Sequence, residues 1–151
     1  MIRFHKLVST ILGIGYISKG GGTVAAIACC LCWYFFQING YNQPFAIIFT
    51  VLSLVLGVWS GNVVEAFWGK DSSKVVIDEV AGMCITLLFI PVTIKYVITG
   101  LVLFRFFDIA KPLLIRRLEK WPGGWGVMAD DVLAGIYSNI ILQVIVAYTI
   151  F

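Results

Sequence analysis

An all-α, polytopic membrane bundle of about five hydrophobic helices is the fold this sequence predicts, one or two of the helices being interfacial or re-entrant. Three observations predict it. Of the 151 residues 60% are hydrophobic and 13% charged, at a mean hydropathy of +0.97, whereas a soluble domain carries about a quarter charged residues. The apolar residues form successive runs near spanning length, and the charges gather in the loops between them. No Pro/Ser-rich linker or low-complexity tract divides the chain, so residues 1–151 form a single membrane-embedded domain.

Taken in order, residues 1–22 open with Arg3, His5 and Lys6 before an apolar stretch from Leu7 to Ile17. That stretch is too short to cross, since a span takes about 20 residues, and it is broken by Gly13 and Gly15. It lacks a signal-peptidase pattern and is read as a retained interfacial or re-entrant segment. His5 is expected to snorkel at the interface. Gly20-Gly21-Gly22 then frees the backbone either to turn N–H groups toward an anion or simply to turn, and Thr23 is placed to cap the next helix.

The first spanning run is Thr23 to Ile38 and the second Pro44 to about Val64, joined by an uncharged turn. A polar loop with Glu65, Lys70, Asp71 and Lys74 precedes the third run, Val75 to about Pro91, which carries Asp78 and Glu79 in its first turn. The fourth run, Lys95 to Ile109, ends on Asp108. A basic loop from Lys111 to Gly126 follows, with Arg116, Arg117 and Lys120, and the fifth run goes from Asp130 or Asp131 to Phe151. Cys29, Cys30, Cys32 and Cys84 all sit inside apolar runs and are read as free; the Cys29/Cys32 spacing has no second pair to complete a zinc site.

Five crossings put every basic residue except Lys95 on one side, which the positive-inside rule makes cytoplasmic. A net charge of +3 serves orientation; basic residues are not interleaved with aromatics in a polar stretch, which argues against nucleic acid as a partner. No obligate protein partner is evident. The acids follow the same split: Glu65, Asp71, Asp78, Glu79, Asp108, Glu119, Asp130 and Asp131 all fall at the basic ends of the runs.

Ionised carboxylates at a bilayer are expensive unless paired, metal-bound or at the water boundary. On the last helix Asp131, Ala134, Gly135 and Ser138 share a face of small residues, which orients Asp131 into the bundle. Gly82 has the corresponding place one turn beyond Asp78 and Glu79, so close approach at the two glycines would join the acidic pairs. Carboxylates at that range repel without a cation, and an oxygen-only donor set from Asp78, Glu79, Asp130 and Asp131 suits Mg²⁺, or Mn²⁺, over zinc. Arg105 and Lys111 flank Asp108 at three residues on either side, placed to bind a phosphate or to balance the acid. Together these describe metal-assisted phosphoryl transfer or hydrolysis on an amphiphile. Cysteine- and serine-nucleophile motifs are absent, and His5 is the only histidine.

Three stretches then carry a resemblance: Val76-Ile77-Asp78-Glu79-Val80-Ala81-Gly82-Met83 preceded by Asp71, Phe104-Arg105-Phe106-Phe107-Asp108-Ile109-Ala110-Lys111-Pro112, and Gly123-Gly124-Trp125-Gly126-Val127-Met128-Ala129-Asp130-Asp131-Val132-Leu133-Ala134-Gly135. In order and approximate spacing they resemble the phosphatidylglycerophosphatase A family. The resemblance implies a Mg²⁺-dependent, all-helical enzyme of the bacterial inner membrane that converts phosphatidylglycerophosphate to phosphatidylglycerol, facing the cytoplasm. It points to Asp78, Glu79, Asp108, Asp130 and Asp131 as functional acids and to Lys111 as a substrate contact, with Arg105 and Thr23 beside it. Where the family has Pro-Gly-Thr, this chain has Gly21-Gly22-Thr23. A cation transporter would place its acids near mid-membrane, and a CDP-alcohol phosphotransferase would need a D-x₂-D-G-x₂-A-R signature that this chain lacks.

Overall fold

The computed structural model describes residues 1–40, 42–70, 72–112, 114–118 and 120–148. The described residues are all-helical. Helix α1 (Ile2–Ser9) leads through residues 10–20, which include a 3₁₀ turn (Ile14–Tyr16), to α2 (Gly21–Gln37), α3 (Gln43–Trp68), α4 (Ile77–Leu87), α5 (Ile94–Ala110), the single turn α6 (Ile115–Leu118) and α7 (Gly123–Ala147). Two of them, α3 and α7, are long and apolar enough to cross a membrane. Phe35, Phe36 and Ile109 are 70%, 72% and 71% exposed, among many large apolar side chains on the outside of the bundle.

Local sequence caps two of the helix starts. Asn42 Oδ1 accepts the Phe45 N–H at 3.0 Å, with Pro44 in the first turn of α3, and Thr93 Oγ1 accepts the Tyr96 N–H at 3.3 Å at the head of α5. At α2 the expectation fails. The cap is Gly20 in the left-handed conformation, φ 80°, and Thr23 lies inside the first turn, its side chain capping nothing.

Helices α4 and α7 run parallel and touch through glycine. A Cβ on Gly135 would stand 2.5 Å from the Gly82 carbonyl oxygen, and one on Gly82 would stand 2.7 Å from the Asp131 carbonyl oxygen. The close approach expected of Gly82 and Gly135 is therefore present, and it sets the separation of the helices that carry the two acidic pairs. Helix α3 crosses α7 in the opposite sense, Gly57 against Met128 and Gly61 against Gly124. Phe104 of α5 fills the space beside Gly82 and is fully buried.

Three boundaries differ from expectation. The last helix begins at Gly123, not at Asp130 or Asp131: the Gly124 N–H is satisfied by Asn62 Oδ1 at 2.8 Å, and both acids sit about two turns in. The third run ends as helix at Leu87 rather than Pro91. There Asn139 Nδ2 lies 3.0, 2.9 and 2.9 Å from the carbonyls of Ile85, Thr86 and Leu88, taking up groups the helix end leaves open. His5 is buried, with Nδ1 3.1 Å from Ser60 Oγ and its ring against Trp59, and so packs α1 on α3 rather than lying at an interface.

Candidate active site

The start of α2, the loop before α4, the start of α4, the end of α5 and the first third of α7 converge on one polar cavity of about 270 Å³. Its walls carry Asp78, Glu79, Asp108, Asp130 and Asp131 with Arg105 and Lys111. Thr23 is not among the lining residues; Gly20, Gly21 and Gly22 supply backbone there instead. A Cβ on Gly22 would collide with the Glu79 carboxylate, so glycine lets that acid lie against the α2 backbone. Asp71 and Glu119 lie outside the described residues.

Within the cavity the acids divide. Carboxylate oxygens of Asp78, Glu79 and Asp131 all lie within 4.8 Å of one another. Asp130 turns to Lys111, whose Nζ donates to Oδ2 at 2.8 Å. Asp108 accepts from Arg105 Nη1. Asp130, placed nearer the bundle edge by its sequence position, is buried almost as fully as Asp131, at 7% against 3% exposed. Lys111 ends α5 in the left-handed conformation, φ 45°, an unusual backbone for a residue with a side chain, and this turns the chain at the cavity wall.

Five carboxylates thus face two cations, and burial penalises every uncompensated charge. Asp78 Oδ1, Glu79 Oε2, Asp130 Oδ1 and Arg105 Nε are buried with no hydrogen-bond partner among the described residues. Oxygen donors so close, with unsatisfied atoms among them, fit a hard divalent cation, and Asp78, Glu79 and Asp131 are the residues that would hold it.

Sequence reading found the acids but missed Ser18, Ser72 and Ser73, which also line the cavity. The only sequence signal was their position: Ser72 and Ser73 closely precede the acidic helix, and Ser18 precedes the glycine turn.

The profile of the family described as phosphatidylglycerophosphatase A matches residues 7–146. The chain belongs to this family. It is 34% identical over 139 residues to the phosphatidylglycerophosphatase A of Haemophilus influenzae, covering 90% of this chain and 85% of that one. With the Escherichia coli K12 protein of the same name it shares 33% identity over 127 residues, 82% of this chain and 73% of the other. It is 41% identical over 147 residues, 91% of each chain, to a Bacteroides thetaiotaomicron protein carrying the provisional name phosphatidylinositol-3-phosphatase. No solved structure matches the chain. Family membership makes the chain a membrane-associated phosphatase, and the three motifs that carried the resemblance all contribute residues to the acidic cavity.

Proposed function

We propose that the chain hydrolyses the terminal phosphate of phosphatidylglycerophosphate, giving phosphatidylglycerol and inorganic phosphate. The observation that carries this reading is the clustering of Asp78, Glu79 and Asp131 within 4.8 Å, beside two cations in a polar cavity, in a chain of this family. A bound Mg²⁺, or Mn²⁺, would neutralise charge on the phosphate and acidify a water. Arg105 Nε and Lys111 Nζ would donate to the phosphate oxygens, and a carboxylate of the cluster would take the proton of the attacking water. The P–O bond to the lipid breaks as water adds in line, and the proton released restores the lipid hydroxyl.

The cavity supports the topology expected from the loop charges. Helices α2 and α4 begin at it and α5 ends there, while the loop that follows α3 and the first third of α7 also line it. The five therefore alternate in direction, α4 together with the turn and loop residues 88–93 making the short third pass. We place the cavity at the cytoplasmic face of a bacterial inner membrane, where Lys70, Lys74, Arg116, Arg117 and Lys120 gather at the same end. A second reading is favoured by the name of the Bacteroides relative: a phosphoinositide headgroup in place of glycerophosphate.

The test is phosphate release by purified protein in detergent, with Mg²⁺ or chelator, from phosphatidylglycerophosphate and from phosphatidylinositol 3-phosphate. Release from the first, lost with chelator and reduced by about 10²–10³ in Asp131→Asn, is the expected result. Release only from the inositol lipid would replace the substrate assignment, and release unaffected by chelator would remove the metal from it.

A further inference from the structure

A second cavity, of about 320 Å³, lies between α2 and α5 and is walled by apolar side chains, among them Ile27, Leu31 and Tyr34 of α2 and Val97, Ile98 and Leu101 of α5. On α5 the residues Ile98, Leu101, Arg105 and Asp108 recur at steps of three and four, so one helix face lines the apolar groove and, one turn further, the acidic cavity. On α2, Thr23 lies one turn before Ile27 on the groove-facing side, and Gly20–Gly22 just before it line the acidic cavity. The groove therefore runs along the same two helices as the phosphate site and begins where that site ends. From Ile27 to Tyr34 it extends for about 10 Å at 1.5 Å per residue.

Two other apolar cavities lack this alignment. The one between α3 and α7 is lined on α7 by Met128, Ala129, Val132, Leu133 and Ile136, but its other long wall is α3, none of whose residues lines the acidic cavity, and the one beside α1 touches α4 through Ile77 and Val80. We propose that the α2–α5 groove holds an acyl chain of the lipid whose phosphate lies in the acidic cavity, with Thr23 at the border between headgroup and chain. This rests on the lipid-phosphatase reading above and adds where the lipid lies. The opening of the groove to the outside, Ile98 being 55% and Leu31 54% exposed, lets a chain enter sideways from a bilayer.

Two measurements test it. In the first, Ile98→Trp and Leu31→Trp fill the groove from exposed positions, and kcat/KM is compared for dipalmitoyl and dihexanoyl phosphatidylglycerophosphate. The ratio of long-chain to short-chain values should fall by at least about tenfold, because only the long chain reaches the filled space. An unchanged ratio in both folded variants, or equal losses on both substrates, would overturn the proposal.

In the second, a phosphatidylglycerophosphate with a photoreactive group in its acyl chain should label peptides containing residues 27–34 and 97–101. Excess unlabelled phosphatidylglycerophosphate should suppress that labelling. Labelling elsewhere, or labelling that competitor leaves intact as for bulk lipid, would count against the groove. Competed labelling by wild-type protein that releases no phosphate would sink the phosphatase reading and still support the groove.

Discussion

Helices α4 and α7 meet glycine to glycine, whereas α2 and α5, which frame the other side of the same acidic cavity, part to leave an apolar groove. The first pair brings backbone against backbone at Gly82 and Gly135, and carboxylate oxygens of Asp78, Glu79 and Asp131 are thereby held within 4.8 Å of one another. The second pair presents branched and aromatic side chains that keep the helices apart. In a bilayer the hydrophobic effect does not drive helices together, so small residues at the contact decide which pairs close. Rigidity is thus placed where carboxylates must be positioned, and space where a substrate must enter.

The largest effect should come from forcing the closed pair open. Gly135→Leu sets a branched side chain against the Gly82 backbone, which cannot yield as a side-chain tip can. A shift of about 1 Å between reacting groups costs about 10²-fold in rate, so phosphate release should fall by at least that much although no polar group is touched. Full activity with unchanged Mg²⁺ dependence would show that the glycine contact does not set the site.

A smaller effect is expected at the far end of the same contact. Asn139→Leu would leave the carbonyls of Ile85, Thr86 and Leu88 without their side-chain partner, at a cost of about 1–3 kcal/mol. The acids lie at the other end of α4, so thermal stability in detergent should drop while kcat of the folded fraction holds. A fall in kcat at unchanged stability would instead mean that the end of α4 is coupled to the site.

Asn139 also marks where sequence reading stops. The acids, their paired glycines and the helical runs were legible because each is a local pattern: a charge in an apolar run, a small residue one turn on, a three- or four-residue recurrence. The early start of α7 was not, because Gly123 and Gly124 are poor helix formers and their place in the helix depends on Asn62 and Val58 of α3, some 60 residues away. The buried state of His5 depends likewise on Ser60 and Trp59. Within the cavity, sequence grouped Asp130 with Asp78, Glu79 and Asp131 as one donor set. The fold gives it Lys111 as partner, and no spacing rule anticipates a contact across a left-handed turn.

The smallest effect should come from the glycine of α5 that packs without backbone contact. The three atoms nearest a Cβ on Gly100 would be side-chain methyls, Leu87 Cδ2 at 3.1 Å and Leu142 Cδ2 and Thr86 Cγ2 at 3.2 Å. These can move by a few tenths of an ångström, and alanine improves the helix by about 1 kcal/mol over glycine, so the two terms nearly cancel. Gly100→Ala should therefore change stability by less than about 1 kcal/mol and leave phosphate release within about twofold. Thermal unfolding of Gly100→Ala beside Gly135→Ala makes the comparison direct, since one added methyl meets mobile tips and the other a fixed carbonyl. Equal losses in the two would mean that α5 is held against α4 and α7 as tightly as those two helices are held against each other.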